Sequence, residues 1–363
     1  MLDERKVTTL MSKADQKGFD VFWTDKYFPA LDGLRAISIL LVVFFHAGGP
    51  NIRGWIGVHI FFVLSGFLIT TLLLREREQF GRISLRAFYV RRFFRIIPIY
   101  YLVLCGYIPV VLLMHDALRW TELKLALPYM FTFMQEYRPA ASGMVFGQAW
   151  SLGIEEKFYL LWPLLIILAF PFRRFTTILV LVLCAAWFFV PYGILSNYGS
   201  LFLGSLLASV LAKSSTAFIR EPLARVPTNL AILLVFAAYA FFWYHSNLFL
   251  VFSASIALLI GTLVLHASWL RSILEHPWIV IIGRRSYAMY LIHVLVLHAV
   301  EKLLTLFHAS LWYTVVPVTY LLSFAVATIL FYLVERPCLT YGHRLSKRIR
   351  ENGSLNAQSA VSA

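Results

Sequence analysis

The stretch LRAISILLVVFFH, residues Leu34 to His46, decides the fold that this chain is predicted to adopt. The ten residues between Arg35 and His46 are nearly all apolar, as in a helix that crosses a membrane. At about 100° per residue, His46 returns to within roughly 20° of Arg35 on the helix face, about 16 Å further along the axis. We therefore predict a membrane helix with a guanidinium near one end and an imidazole about three turns along the same face.

A cation and an imidazole in line suit a long ligand that has an anionic head and a reactive far end. An acyl-coenzyme A has this shape, with phosphates at one end and a thioester at the other. The alternative is that Arg35 reaches the lipid headgroups and that His46 is a hydrogen-bonded polar residue between helices. Because an ionisable group inside an apolar span is costly and normally faces the bundle interior, the sequence favours a functional His46.

Composition places the chain in a membrane class. Its 363 residues are 60% hydrophobic and 14% charged, whereas a soluble domain carries about a quarter charged residues. The first 28 residues contain no apolar signal-peptide core, so the helix near Leu34 is expected to act as its own insertion signal. The net charge of +14 comes from basic residues beside the apolar runs. This placement is typical of membrane topology, so the lipid bilayer is the expected partner and nucleic acid is not. The three cysteines show no metal-binding spacing and are expected to be free, buried thiols.

The predicted fold is an all-α polytopic membrane protein with about ten transmembrane helices. The apolar runs are Leu34–Gly49, Trp55–Leu74, Ile96–Met114, Lys157–Phe170, Thr176–Tyr192, Gly199–Leu211, Leu230–Tyr244, Leu248–His266, Ser286–His308 and Tyr313–Val334. With the amino terminus inside, most Lys and Arg residues fall on inner segments, which predicts two cytoplasmic termini. The membrane domain is predicted at residues 31–337. A cytoplasmic segment at 1–30 precedes it, and a cytoplasmic tail at 338–363 is expected to end in disorder.

Arginines cluster on the predicted inner side. Arg92 and Arg95 are three residues apart, so on a helix they share a face and form a two-pronged anion site. Arg284 and Arg285 lie at the same rim, on the same membrane side as Arg35. Planar, forked guanidinium groups suit phosphates. The alternative is a topology signal with lipid headgroup contacts.

Polar residues on the outer half of the predicted bundle are candidates for chemistry on an acceptor. A carboxylate at Glu155 could hold the His46 imidazole in the tautomer that accepts a proton, or could bind a sugar hydroxyl. His293 is an intramembrane ionisable group whose role, catalytic or structural, stays open. The long outer loop from about His115 to Trp150 is a natural place for acceptor recognition. The residues expected to contact the acceptor are Asp32, Ser65, Trp150, Ser151, Glu156 and His293.

Six motifs together resemble one known family. They are LDGLRAISILLVVFFH, FFVLSGFLIT, RRFFRIIPIYY, AWSLGIEEKFYLLWP, SYAMYLIH and VERP, spread from about Leu31 to Pro337. In order and spacing they resemble the acyltransferase 3 family of integral-membrane O-acyltransferases. The resemblance implies a ten-helix, multi-pass enzyme of the bacterial inner (plasma) membrane. It also implies transfer of an acyl group, usually acetyl, from cytoplasmic acyl-coenzyme A to a hydroxyl of an exported glycan such as O-antigen or exopolysaccharide. Arg35 and His46 match the family's arginine–histidine pair, and Arg92 and Arg95 match its RxxR motif.

Two departures from the family pattern stand out. Lys157 stands where the family often has Gln, which could alter acceptor contacts or place an ammonium beside the carboxylates. The chain ends shortly after Pro337, so we expect it to lack the fused hydrolase-like domain of some members and to complete transfer itself or through a separate partner.

The function predicted from the sequence is therefore acyl transfer with acetyl-coenzyme A as co-substrate and no metal. Its phosphates are expected on Arg35, Arg92, Arg95 and either Arg284 or Arg285. The His46 imidazole is expected to deprotonate the acceptor hydroxyl or to carry the acyl group briefly, and the first needs fewer assumptions. One alternative is an exporter or flippase of a lipid-linked sugar that transfers no acyl group. Another is an acyltransferase acting on a small molecule such as a macrolide.

Overall fold

The computed structural model describes residues 22–25, 27–50, 52–54, 56–169, 182–184, 193, 195–212, 216–244, 249–306 and 311–362. Within these ranges the chain is helical and contains no strand, which confirms the predicted all-α class. The longer helices are α1 (Pro29–His46), α2 (Ile56–Phe80), α3 (Leu85–Leu113), α4 (Ala117–Phe131), α5 (Trp150–Ala169), α6 (Tyr198–Ala212), α7 (Ala217–Arg225), α8 (Thr228–Tyr244), α9 (Phe249–Leu265), α10 (Trp269–Leu274), α11 (Pro277–Arg284), α12 (Ser286–Leu306), α13 (Trp312–Leu330) and α14 (Arg336–Ser362). A π-helical turn, Phe331–Glu335, joins α13 to α14.

Several described helices are long and apolar enough to cross a membrane, which confirms a multi-pass membrane protein. They are Pro29–His46, Ile56–Phe80, Leu85–Leu113, Pro277–Leu306 and Trp312–Asn352. Shorter apolar helices cover Thr228–Phe241 and Phe249–Leu265. The predicted span at Thr176–Tyr192 lies almost entirely outside the described residues. The count of about ten and the cytoplasmic placement of both termini stay predictions.

The chain divides into two compact units. The first comprises Met1–Val42, Arg53–Gly81 and Leu161–Arg284. Its tightest helix pair is α2 with α6, where backbones meet at glycines. A Cβ on Gly66 would lie 1.9 Å from the Leu201 carbonyl oxygen, and one on Gly204 would lie 2.0 Å from the Val63 carbonyl oxygen. The two glycines therefore allow α2 and α6 to approach until their backbones touch.

The second unit comprises Val43–Ile52, Arg82–Leu160 and Arg285–Ala363. Here α3 packs along α14 and α12 packs against α13. The segment between α4 and α5 folds into three short 3₁₀ turns, Gln135–Tyr137, Ala140–Ser142 and Gly147–Ala149. The last helix, α14, extends to Ser362. The predicted domain boundaries and the character of the tail stay predictions.

The cysteines correct one expectation. All three are free, as predicted, but Cys105 is exposed and Cys184 and Cys338 are partly buried. An apolar run predicts the helix and does not tell which of its faces packs inward.

Candidate active site

The Arg35 end of the predicted site is built around one buried carboxylate, Asp32, in the first turn of α1. Arg35 Nη1 donates to Asp32 Oδ1 at 2.8 Å, and the Tyr27 hydroxyl donates to Asp32 Oδ2 at 2.5 Å. Arg284 completes the cluster, with Nη2 donating to the Tyr27 hydroxyl at 3.0 Å and Nε 3.7 Å from Asp32 Oδ2. The structure thus brings two of the predicted phosphate ligands, Arg35 and Arg284, onto one carboxylate.

A close backbone contact between α1 and α11 and the neutral side chain of Tyr27 support this cluster. A Cβ on Gly283 would lie 1.8 Å from the Asp32 carbonyl oxygen, so α11 approaches α1 closely at the residue before Arg284. Burial raises the pKa of Tyr27, and its hydrogen bond to Asp32 adds to the rise. The phenol is therefore neutral near pH 7, and two guanidinium groups around one carboxylate leave a net positive site. Asp32, which the sequence predicts at the acceptor, contacts Arg35, Arg284 and the Tyr27 hydroxyl.

His46, the last residue of α1, lies in the wall of a cavity of about 500 Å³. Its side chain is exposed to this space. The lining mixes polar and apolar side chains and comes from the end of α1, from α4 and its cap, from the turn before α5 and from α12, all within the second unit. The lining residues are His46, Asp116, Leu118, Arg119, Glu122, Met144, Val145, Gly147, Gln148, Val294 and His298. The predicted catalytic imidazole is therefore accessible to a ligand of small-sugar size.

His293 packs directly behind His46. The two imidazole rings meet edge to face with centroids 4.9 Å apart, and His293 is fully buried. His293 Nδ1 lies 2.7 Å from the Tyr290 carbonyl oxygen. Because a carbonyl only accepts, Nδ1 carries the hydrogen and Nε2 holds a lone pair. That Nε2 has no hydrogen-bond partner among the described residues. The cavity lining includes Val294 and His298 but not His293, so its described position is behind the wall rather than in it.

A hydrogen-bond network fixes the turn that precedes α5 to α12. The Tyr290 hydroxyl donates to the Gln148 carbonyl oxygen at 2.8 Å, which leaves Ser151 Oγ, 2.7 Å away, to donate to that hydroxyl. Gln148 Nε2 donates to the Leu291 carbonyl oxygen at 2.9 Å and to the Tyr107 hydroxyl at 3.2 Å. Ser151 was predicted to contact an acceptor, and the structure buries it in this support of the cavity wall.

The two glutamates of α5 belong to a different neighbourhood. Glu155 and Glu156 are half-buried, and Glu156 interacts electrostatically with Arg92 and Lys157. Arg92 stacks over the Tyr159 ring at 5.2 Å. Glu155 is not among the residues that line the His46 cavity, and the lining carboxylates are Asp116 and Glu122.

The remaining predicted residues are spread over both units. Arg95, with Arg91 and Arg350, acts electrostatically on His343 of α14. Arg285 is buried against three aromatic rings, with its guanidinium carbon 5.6, 5.1 and 5.7 Å from the ring centroids of Phe324, Phe331 and Tyr332. Ser65 on α2 and Trp150 at the start of α5 are each half-buried.

Metal ligands do not cluster in the part of the chain that the structure describes. No group of three or more His, Cys, Asp or Glu side chains is placed there to hold an ion.

Comparison with known proteins identifies the family. The Acyl_transf_3 model, described as an acyltransferase domain, matches residues 28–336. The chain belongs to the acyltransferase 3 family. This matched segment contains every residue named above as a site candidate, from Asp32 to His293.

Curated relatives of this acyltransferase 3 chain include proteins of three bacteria. One named putative O-acetyltransferase from Staphylococcus aureus is 28% identical over 79% of this chain and 53% of its own length. Peptidoglycan O-acetyltransferase OatA of Listeria monocytogenes is 27% identical over 92% of this chain and 57% of its own. YrhL of Bacillus subtilis, named putative peptidoglycan O-acetyltransferase, is 29% identical over 89% and 57%. The chain therefore spans about half the length of the curated relatives it matches. No solved structure matches it.

Of the residues that line the cavity of this acyltransferase 3 chain, sequence reasoning named only His46. The polar ones that it missed are Asp116, Arg119, Glu122, Gln148 and His298. The only signal for the first four was the length of the predicted outer loop. Asp116 caps α4 by accepting from the amides of Leu118 and Arg119 at 2.9 and 3.2 Å, a short-range pattern that looks structural in sequence.

Proposed function

We propose that this chain is a bacterial inner-membrane enzyme that moves an acetyl group from cytoplasmic acyl-coenzyme A to a hydroxyl of an exported glycan. The observation that carries the proposal is the exposed His46 imidazole in the wall of a polar cavity, with His293 buried behind it. Family membership and the names of the relatives support acyl transfer to oxygen.

In the proposed step, His46 acts as general base. One ring nitrogen takes the proton of the acceptor hydroxyl while the hydroxyl oxygen attacks the thioester carbonyl carbon. The carbon–sulfur bond then breaks, and the imidazolium returns its proton to the leaving thiolate. A neutral imidazole is required at the start and is regenerated at the end, so the step needs no metal.

His293 acts through His46 as a positioning residue. Since His293 Nδ1–H is held by the Tyr290 carbonyl, its Nε2 is the atom left to accept a hydrogen bond. The nearest described ring is that of His46, 4.9 Å away between centroids. We propose that the second nitrogen of His46 donates to this Nε2. That bond fixes the tautomer in which the catalytic nitrogen is unprotonated, as the third member of a catalytic triad does.

For the coenzyme phosphates we propose the cluster of Arg35 and Arg284 first. Asp32 and Tyr27 hold both guanidinium groups in place, and one carboxylate does not neutralise two cations. Arg92, Arg95 and Arg285 come second in this proposal, because Arg92 and Arg285 stack on aromatic rings and Arg95 lies near His343 of α14.

The test is mass spectrometry of surface glycans from bacterial cells that lack the gene, carry it, or carry His46→Ala. We expect acetyl groups only with the wild-type gene. His59→Gln is the matched control, because His59 is also intramembrane but is buried against Ser200 Oγ at 3.2 Å in the first unit. Identical glycans in all strains, with less glycan exported when the gene is absent, would instead indicate an exporter.

A further inference from the structure

Gln148 is a residue of the cavity wall, and its buried amide oxygen has no hydrogen-bond partner among the described residues. Its Nε2 donates to the Leu291 carbonyl, which cannot donate in return, so the amide cannot be flipped without losing that bond. The Tyr107 hydroxyl takes the second Nε2 hydrogen. Oε1 has no hydrogen-bond partner among the described residues, and Gln148 is only 5% exposed, so bulk water does not supply one.

A buried amide oxygen without a partner is costly unless a ligand supplies a donor. Gln148 is also a residue of the cavity wall that His46 shares. Its amide is anchored to α12 at Leu291, two residues before His293. The oxygen is therefore held rigidly by the same helix that supports the proposed base.

The charges around the cavity narrow the class of ligand. Asp116 and Glu122 contribute two carboxylates, and Arg119 contributes one guanidinium whose Nε lies 3.6 Å from Asp116 Oδ2. The Glu122 carboxylate has no ion-pair or hydrogen-bond partner among the described residues. The two carboxylates outnumber the one guanidinium of the wall, and this excess of negative side chains repels phosphate or carboxylate groups and favours hydroxyl and amide donors.

We propose that this cavity binds a neutral sugar unit of the acceptor and that Gln148 Oε1 accepts a hydrogen bond from one of its hydroxyl or acetamido N–H groups. This inference rests on the proposed acyl transfer and deepens it, because it names the acceptor class and a residue that recognises it. Glu122 accepts from further hydroxyls of the same unit. The volume of about 500 Å³ accommodates one or two pyranose rings.

The experiment uses the purified full chain in lipid nanodiscs with acetyl-coenzyme A and N-acetylglucosamine tetrasaccharide as the neutral probe. Gln148→Met keeps the side-chain length and removes Oε1. Tyr107→Phe is the matched control, since it removes a partner of Nε2 but leaves Oε1 in place. We expect Gln148→Met to raise the KM for the tetrasaccharide about three- to tenfold, with the KM for acetyl-coenzyme A unchanged. Tyr107→Phe should change neither KM by more than about twofold.

A second measurement keeps the inference testable if Gln148→Met does not fold. Wild-type chain is assayed with tetrasaccharides that each lack one donor, by O-methylation or N-methylation. One methylated tetrasaccharide should show the same rise in KM with the wild-type chain. Where Gln148→Met folds, the KM of that variant for this probe should rise no further.

Two results would overturn the inference and leave the proposed function standing. One is acetyl transfer with the same acceptor KM in Gln148→Met and for every methylated probe. The other is transfer to a phosphorylated or carboxylated oligosaccharide but to no neutral one. Acetyl transfer to no acceptor at all, by wild-type chain with intact folding, would instead remove the proposed function and this inference with it.

Discussion

The contacts of Lys157, which stands where the resemblance leads us to expect Gln, allow a quantitative prediction. Its ammonium lies 2.5 Å from Glu136 Oε1 and donates to the carbonyl oxygens of Phe133 and Gly153 at 2.8 and 3.1 Å. The Glu136 side chain is 0% exposed and that of Lys157 is 20% exposed. A Cβ on Gly153 would lie 2.3 Å from Glu136 Oε2, so the carboxylate sits directly on the α5 backbone. The pair therefore fastens the first 3₁₀ turn after α4 to the helix whose preceding turn carries Gln148.

Removal of one partner from such a pair leaves a buried, uncompensated charge, which typically costs about 3–5 kcal/mol. Because Lys157 is partly exposed, we expect Lys157→Met to cost about 3 kcal/mol, the lower end of that range. Glu136→Gln should cost about 1–2 kcal/mol, since the ammonium keeps two carbonyl acceptors and the amide oxygen can still accept. The double variant should cost less than the sum, with a coupling of about 1.5 kcal/mol or more.

The assay is reversible SDS titration of the purified chain in mixed micelles, followed by tryptophan fluorescence. Lys302→Met, at an exposed lysine of α12, is the control and should change the free energy of unfolding by less than about 0.5 kcal/mol. Additivity of the two single variants to within about 0.5 kcal/mol would refute the reasoning, because it would mean that the ion pair contributes nothing beyond its separate parts.

Three further predictions concern the active-site candidates and the helix core. His293→Phe should lower kcat about 100-fold with little change in the acceptor KM, because it removes the acceptor for His46 and not a substrate contact; an unchanged kcat argues against the positioning role. Arg35→Ala should weaken coenzyme A binding about 10- to 100-fold in isothermal titration calorimetry. Arg225→Ala, at an arginine side chain that is 72% exposed, is the control and should leave the affinity unchanged. Equal affinities of Arg35→Ala and wild type would rule out the phosphate role of Arg35. Gly204→Ala should destabilise the chain by about 2 kcal/mol or more, because the new Cβ would lie 2.0 Å from the Val63 carbonyl oxygen. Gly106→Ala is the control and should be neutral or stabilising by up to about 1 kcal/mol, because nothing lies within 4 Å of its Cβ position. Similar unfolding midpoints for the two variants would contradict this packing.

Hydrophobicity made the helices predictable. The long apolar runs gave α1, α2 and α12 to within about six residues of their ends, whereas α3 already begins at Leu85, well before the predicted Ile96. His46 ends α1, and Arg35 lies about two turns from its start.

Long-range partners were not predictable in the same way. Glu155 has the residue type of a His46 partner, yet the cavity carboxylates come from α4 and its cap, a segment without a membrane signal. Arg284 and Arg285 are adjacent in sequence but differ in environment, since one joins Asp32 and the other is buried among aromatic rings. Such differences depend on which helices pack beside a residue, and the residues adjacent in sequence do not tell which helices those will be.

The central claim is that His46 is the base that activates the acceptor hydroxyl. The most direct measurement is single-turnover transfer of an isotope-labelled acetyl group from acetyl-coenzyme A to N-acetylglucosamine tetrasaccharide by the chain in nanodiscs. We predict that wild type and His59→Gln transfer the label at similar rates and that His46→Ala, with coenzyme A affinity intact, transfers none above background. Transfer by His46→Ala at the wild-type rate would contradict the account.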